Sequence, residues 1–322
     1  MKAIVYESYG APDVLQLRDM EKPVPKENEV LIHIHATTVT SGDCRVRSLN
    51  MPTGFGLISR LFLGVSRPRR PVLGTELAGE IEAVGSGVSK FNVGERVFAL
   101  SGMEMGCHAE YKCLSEDAAI VLTPDNLTDE QAAAMSFGGT TALDFFRRAK
   151  LQRGERVLVN GASGAVGIAA VQLARHLGAE VTGVCSTTNM ELVRSLGASH
   201  VIDYRHDDFT ENGETYDVIV DTVGTAPFSR SKKSLNEGGR LLLVLAGLPD
   251  MLPIPWVQMT SSKKIIAGPA AERVEDLRFL ATLAETGAFK PVIDRRYPFA
   301  QIADAHRYVD SGRKIGNVIV TL

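Results

Sequence analysis

The run VNGASGAVG at 159–167 has the residue types and spacing best suited to chemistry. Ala162, Gly164 and Gly167 follow the G-x-G-x-x-G pattern with Ala in the first place and Gly161 just before it. Small residues there let a strand turn tightly, let backbone approach a pyrophosphate, and let a helix pack close on a sheet. Ser163, Ala165 and Val166 complete the loop, and the unpaired N–H groups of the following helix favour phosphate. The expectation is dinucleotide binding, with a tight turn lacking a ligand as the alternative. About 20 residues further on, a carboxylate would hold a ribose 2′-hydroxyl. The chain has Cys185, Ser186, Thr187, Thr188 and Asn189 instead, and no acid until Glu191. Hydroxyls without a carboxylate tolerate a 2′-phosphate, to which Tyr204 and Arg205 are placed to donate. The cofactor reading is therefore NADPH.

Such a loop needs a strand leading in and a helix leading out. RVLVN (156–160) reads as a buried strand, and a helix runs from about Gly164 to Leu177, stopped by Gly178. The rhythm continues with strands EVTGVC (180–185), HVIDY (200–204), YDVIVDTVG (216–224), RLLLVLAG (240–247) and KKIIAG (263–268). Helices at 190–196 and 228–235 separate some of them. Short apolar runs alternating with helices require a parallel sheet covered on both faces, and six strands meet the needs of a doubly wound fold. Asp221 in DTVG is expected to end a strand and anchor the cofactor crevice. Helices are also expected at Thr128–Met135 and, opened by a GGTTAL turn, at 140–149. Before residue 125 the runs at 3–6, 29–40, 76–85, 95–100 and 107–114 read as antiparallel strands of a barrel-like or sandwich lobe. After Gly268 a helix (274–285), a strand (PVIDRRY), a helix (301–308) and a strand (NVIVTL) remain. They cannot all join a complete six-stranded sheet, so the chain is expected to return to the first lobe. The fold class is α/β: a doubly wound parallel-sheet domain over 125–265, and a discontinuous β-rich domain made of 1–124 and 266–322.

PVLGTELAGEIEAVGSGVSKFNVGERV (71–97), NGASGAVG (160–167), DTVG (221–224) and the closing GRKIGNVIVTL together resemble the medium-chain dehydrogenase/reductase superfamily. Within it they are similar to the zinc-independent quinone oxidoreductase, or zeta-crystallin-like, branch. The resemblance implies a GroES-like catalytic domain built from both chain ends, an inserted Rossmann domain, and an active site in the cleft between them. The catalytic zinc ligands of the superfamily's alcohol dehydrogenases would fall at Thr40 and Thr75. Threonine is a poor zinc ligand, and the four-cysteine structural lobe is missing, so no metal is expected. What remains is hydride delivery to a small-molecule acceptor that is already electrophilic, a quinone or a C=C bond conjugated to a carbonyl. Thr40 and Asp43, ending a barrel strand, are expected to face the substrate together with Arg45. The family usually has Asn in place of Thr40 and sometimes Tyr in place of Arg45. The resemblance makes Thr141 a nicotinamide contact and puts Ala246 and Gly247 at the end of a strand on the crevice. The loop at Gly268–Pro269 is expected near the nicotinamide, and Lys314 and Asn317 as the C-terminal cofactor contact. No general acid is identifiable, which leaves water as the proton source. A homodimer pairing the nucleotide domains edge to edge is the family's usual assembly.

Composition narrows the alternatives. In 322 residues, 35 Lys and Arg face 38 Asp and Glu for a net charge of −3, which gives no general reason to bind nucleic acid. Cys44, Cys107, Cys113 and Cys185 are too sparse for a disulfide scaffold and lack CxxC spacing. No apolar run reaches membrane-spanning length, and the N-terminus has no signal-like apolar stretch, so a cytoplasmic protein is expected. Segment 51–70, MPTGFGLISRLFLGVSRPRR, mixes apolar residues with Arg60, Arg67, Arg69 and Arg70. It reads as a lid over the substrate cleft, apolar side inward, with membrane or RNA contact as alternatives. His33 and His35 are expected on the polar side of a strand. Cys107 beside His108 raises a catalytic thiol only as a minor alternative. A second class also stays open: an NADPH-binding structural or regulatory protein with little turnover.

Overall fold

The computed structural model describes residues 1–322. Strands Arg156–Asn160, Glu180–Cys185, His200–Asp203, Tyr216–Asp221, Leu235–Leu243 and Lys264–Ala267 form one parallel sheet. Their spatial order is third, second, first, fourth, fifth, sixth. Val157, Leu158 and Val159 are wholly buried, as a strand covered on both faces requires. The order reverses between the first and fourth strands, which opens a crevice at their C-terminal ends. This is the doubly wound Rossmann arrangement.

A second, seven-stranded sheet is centred on the long strand Glu29–Thr38. That strand pairs antiparallel with Glu76–Val84, with Tyr111–Ser115 and with the final strand Asn317–Thr321. Ile293–Pro298 lies parallel to the final strand, so both ends of the chain build one sheet. Alternation fixes its faces. Val30, Ile32 and Ile34 are buried, whereas His33 stacks on Tyr111 and His35 reaches Asp129 at 2.8 Å on the other side. No helix is long and apolar enough to cross a membrane.

Several boundaries differ from those expected. Gly138, Gly139, Thr140 and Thr141 lie inside helix Ser136–Ala149 rather than in a turn that opens it. Glycine is a poor helix former, but here the missing side chains are needed. A Cβ at Gly138 would stand 2.7 Å from the Ala165 carbonyl oxygen, and one at Gly139 would stand 2.4 Å from Leu280. Close packing overrides propensity. The fifth strand begins at Leu235 and ends at Leu243, so Ala246 and Gly247 lie beyond it. Gly247 starts the short helix Leu248–Met251, its N–H donating to Asp250 at 2.9 Å. The expected strand at 107–114 begins only at Tyr111, because the Cys107 and His108 amides bond to the Gly74 and Leu73 carbonyls instead. The fourth strand stops at Asp221 rather than at Gly224.

The reading of 51–70 as an inward-facing lid is also corrected. Helix Gly56–Leu63 has no buried residue, and Leu57, Ile58, Leu61 and Phe62 are exposed. The small core beneath it, Tyr6, Val46, Leu73 and Met105, is already closed, and only Leu63 packs against its edge.

Candidate functional site

The strand ending at Asn160 enters the glycine loop through Gly161, whose φ of +81° suits only glycine. Gly164 is the N-cap residue of the helix Ala165–His176. A Cβ at Gly167 would lie 2.1 Å from the Gly161 carbonyl oxygen, so helix and loop touch backbone to backbone. At Gly164 the nearest atom to a Cβ is 3.6 Å away, which leaves open space over the helix N-terminus. Such a loop could cradle a pyrophosphate: it offers N–H groups at the positive end of a helix dipole, with no side chain in the way. Ala162 is buried and helps fix the turn.

The loops around the cradle are tied to it. Asn189 donates to Ser163 Oγ at 3.0 Å, joining the end of the second strand to the glycine loop. Ser186 Oγ lies 3.1 Å from Thr188 Oγ1, and Thr187 donates to the Asp203 carboxylate. Asp203 also accepts from the Arg205 amide, and these bonds hold its carboxyl below the usual range despite burial. A cavity of about 400 Å³ opens beside the cradle, with Asn160, Gly161, Val184, Tyr204, Val223 and Thr225 in its wall. Asp221 ends the fourth strand wholly buried and accepts from Asn160 Nδ2 and from the Val223, Gly224 and Ala226 amides. It shapes the wall of the crevice. Asn160 and Val223 lie within the quoted NGASGAVG and DTVG runs, whereas Thr225 carried no motif and was marked only by its position after a strand end.

The two sheets meet along this crevice. The Gly316 amide donates to the Ser163 carbonyl at 2.9 Å, bringing the C-terminal segment onto the glycine loop. Lys314 is half-buried and donates to the Gly316 carbonyl at 2.8 Å; burial pulls its ammonium down to about 8. Asn317 is buried and binds the Val292 carbonyl through its side chain at 3.2 Å. At the other end of the cleft, the Leu248 amide donates to the Thr53 carbonyl at 2.8 Å. Thr141 is buried in its helix, and its hydroxyl makes no hydrogen bond within the chain, whereas the Thr140 hydroxyl is committed to the Ser136 carbonyl. Gly268, with φ of +100°, ends the sixth strand in open space.

Thr40 and Asp43 turn out to organise a helix start rather than end a strand. Thr40 caps helix Ser41–Ser48, its hydroxyl accepting from the Asp43 amide at 3.0 Å. The Asp43 carboxylate accepts from the Thr40 amide (2.8 Å) and hydroxyl (2.5 Å) and from the Gly74 amide (3.1 Å). This is a capping box, and it pins the Gly74–Thr75–Glu76 turn to the helix. Arg45, one turn on, is half-buried and makes no hydrogen bond or ion pair within the chain; burial lowers its pKa.

Sequence reading missed Glu76 as a site group. It is buried at the start of strand Glu76–Val84, accepting from the Thr38 hydroxyl and from the Phe137 amide at 2.6 Å. Burial pushes its carboxyl up to about 7, against the hydrogen bonds from Thr38 and the Phe137 amide, which favour the charged form. The bond to Phe137 joins the second sheet to the helix that packs on the nucleotide domain. Its signal was a carboxylate in an otherwise apolar inward face.

The donor set does not suit a catalytic zinc. The Thr40 hydroxyl is engaged with Asp43, the Thr75 hydroxyl is buried with no partner, and no three His, Cys, Asp or Glu side chains converge. Cys107 is wholly buried and its thiol is pushed up to about 12, which leaves no reactive thiolate there.

Residues 26–125 match the alcohol dehydrogenase GroES-like domain model, and residues 196–320 match the zinc-binding dehydrogenase model. The chain is 33% identical to the Arabidopsis thaliana chloroplast envelope quinone oxidoreductase homolog, over 99% of this chain and 98% of that protein. It is 31% identical to the Arabidopsis NADPH-dependent alkenal/one oxidoreductase, over 99% of this chain and 79% of that protein. The solved structure of a quinone oxidoreductase from Coxiella burnetii superposes with a TM-score of 0.89 at 28% identity, over 100% of this chain and 99% of that one. A nicotinamide cradle, a two-ended catalytic sheet and threonines where zinc ligands would stand thus agree with these likenesses: the chain belongs to the quinone oxidoreductase branch of the medium-chain dehydrogenase/reductase superfamily.

Proposed function

We propose that the protein delivers a hydride from NADPH to an acceptor that is already electrophilic, a quinone or a C=C bond conjugated to a carbonyl. The observation that carries this reading is the cradle at Gly161–Gly167 opening onto a cleft with Thr40 and Thr75 at the positions of zinc ligands. Threonine pairs do not make a Lewis acid, so the acceptor must arrive activated. The relatives named for quinone and alkenal/one reduction support the same class of acceptor.

When bound, the nicotinamide supplies the hydride; the chain supplies position and electrostatics. The loop amides at Ser163, Ala165 and Val166 would hold the pyrophosphate, Gly164, whose own amide is spent on the Gly161 carbonyl, leaves room for it, and Gly167 keeps the helix close behind them. Ser186, Thr187, Tyr204 and the neighbouring Arg205 take the adenosine end. Asp203 is occupied by Thr187 and the Arg205 amide, so the carboxylate at the end of the third strand is not free to claim a ribose hydroxyl. That favours NADPH over NADH. Thr141, Ala246, Gly247, Lys314 and Asn317 surround the nicotinamide end.

Thr40 and Asp43 hold the helix that presents Arg45, and Arg45 has its donors free for the acceptor oxygen as negative charge develops. The proton comes from water. Turnover is tested with NADPH and a panel of quinones, enals and enones. Oxidation with at least one acceptor is expected, and replacing Arg45 by Met should lower kcat/KM by roughly a hundredfold. Tight cofactor binding with no turnover on any acceptor would leave a structural or regulatory protein. Tighter binding of NADH than of NADPH would overturn the cofactor assignment.

A further inference from the structure

The C-terminal end of helix Gly56–Leu63 borders a groove of about 390 Å³ that the hydride chemistry does not use. That volume lies in the range of small-molecule sites. Tyr6 and Met105, each 2% exposed, form its floor, and Phe62, Leu63 and Met103 give it apolar walls. Local folding brings these parts together. The helix ends at Gly64, whose φ is +123° and where a Cβ would stand 2.0 Å from the Arg67 carbonyl oxygen, so only glycine fits. The chain doubles back there, and the Arg69 amide donates to the Leu63 carbonyl at 2.8 Å. The Tyr6 amide donates to the Pro71 carbonyl at 2.9 Å, which sets Tyr6 beside the arginines at 69 and 70. The Met105 carbonyl accepts from the Ser101 hydroxyl at 2.9 Å and the Lys112 ammonium at 2.5 Å, which fixes the floor.

The polar groups of the groove are donors without partners. Tyr6 is almost wholly buried, yet its hydroxyl makes no hydrogen bond within the chain. Burial pushes its phenol up, with Tyr9 and Asp43 adding to the effect, so the hydroxyl keeps its proton. A buried phenol ordinarily finds an acceptor. The side chains of Arg69 and Arg70 line the same groove, are exposed, and make no hydrogen bond or ion pair. No Asp or Glu lines the groove. One hydroxyl and two guanidinium forks with nothing to accept from them match the oxygens of a carboxylate. The adjoining walls are apolar, and Phe62 (72%) and Met103 (62%) leave much of their surface in water. A hydrocarbon chain attached to the carboxylate would cover that surface.

We propose that this groove binds a straight-chain aliphatic carboxylate, its head between the Tyr6 hydroxyl and the guanidinium groups of Arg69 and Arg70, its chain along Phe62, Leu63 and Met103. No residue of the groove belongs to the glycine loop or to the Thr40–Asp43 cap, so the site stands or falls independently of the hydride reaction.

The full-length protein is titrated calorimetrically with octanoate, decanoate and dodecanoate below their micelle concentrations. Binding is expected, tightening roughly fourfold for each methylene buried. Dodecanol, which lacks the carboxylate, should bind at least tenfold more weakly. Tyr6→Phe keeps the ring and should weaken dodecanoate about tenfold, and R69Q/R70Q at least tenfold. Both variants should keep the wild-type affinity for NADPH, which shows that they are folded. A free fatty acid and the carboxylate tail of an acceptor share this chemistry. Dodecanoate that competes with an enone acid but not with a neutral enone assigns the groove to the acceptor's tail; dodecanoate that binds without competing assigns it to a free fatty acid. Both results require the site. Absence of dodecanoate binding, equal binding of dodecanol, no gain with chain length, or unchanged binding in both variants overturns the proposal. So does an oligomer that F62S dissociates, since a second copy would then fill the groove.

Discussion

Glu76 couples folding to pH because its carboxyl titrates near 4.3 in an unfolded chain and at about 7 in the fold. Between those values the folded state keeps a proton that the unfolded state has lost. Stability is therefore highest below the unfolded pKa and falls as pH rises through about 7, by something on the order of 3 kcal/mol in all. Glu76→Gln keeps the shape, and its amide can still bond Thr38 and the Phe137 amide. Denaturation across this pH range should show the decline in the wild type and a flatter profile in the variant; an identical decline in both would exonerate Glu76. Lys314 acts in the other direction and at higher pH. Its ammonium is pulled down to about 8, so the unfolded chain holds the extra proton and stability rises with pH above that value. Thr40→Ala removes one half of the capping box and should cost about 1 kcal/mol of stability. Because it also loosens the helix that carries Arg45, acceptor kcat/KM should fall further than cofactor affinity, a difference that steady-state kinetics and direct NADPH binding resolve.

Glycines in one loop separate packing from ligand approach. Gly167→Ala forces a Cβ to within 2.1 Å of the Gly161 carbonyl oxygen, so the helix must move and the nucleotide domain should lose roughly 1–3 kcal/mol. Gly164→Ala meets only an atom at 3.6 Å, and melting should change little. Its methyl group would nevertheless occupy the space a pyrophosphate needs, so NADPH affinity should fall at least tenfold. Equal melting losses in the two variants would contradict this division. The same segment shows what periodicity reveals and what it hides. The first strand, its loop and its helix were legible because their spacing answers to local sterics. The helix through Gly138 and Gly139 was not, since its cause is contact with Ala165 and Leu280, distant in sequence. Likewise Thr40 and Asp43 were recognisable as a pair three residues apart, but their role as a helix cap depends on where the preceding strand stops.

The parallel sheet was foreseen strand by strand, and the return of the chain end followed from counting strands beyond a full sheet. Orientation at the surface was not foreseeable in this way. The mixed segment 51–70 has the composition of a lid or of a docking face, and only the closed core beneath it decides which side turns outward. The edge strand Lys264–Ala267 leaves one side of the parallel sheet unpaired, and unpaired edges recruit another strand. We propose that two chains pair there; light scattering should give a dimer, and Ile266→Pro should give a monomer. At the scale of the whole molecule, the cradle and the metal-free cleft must act together on one acceptor. The most direct measurement uses NADPH deuterated at its transferable hydrogen, with an enone as acceptor and mass spectrometry of the product. The account predicts one deuterium at the β-carbon, an α-hydrogen from water and an intact carbonyl. Deuterium on the carbinol carbon of an allylic alcohol would mean carbonyl reduction and would contradict it.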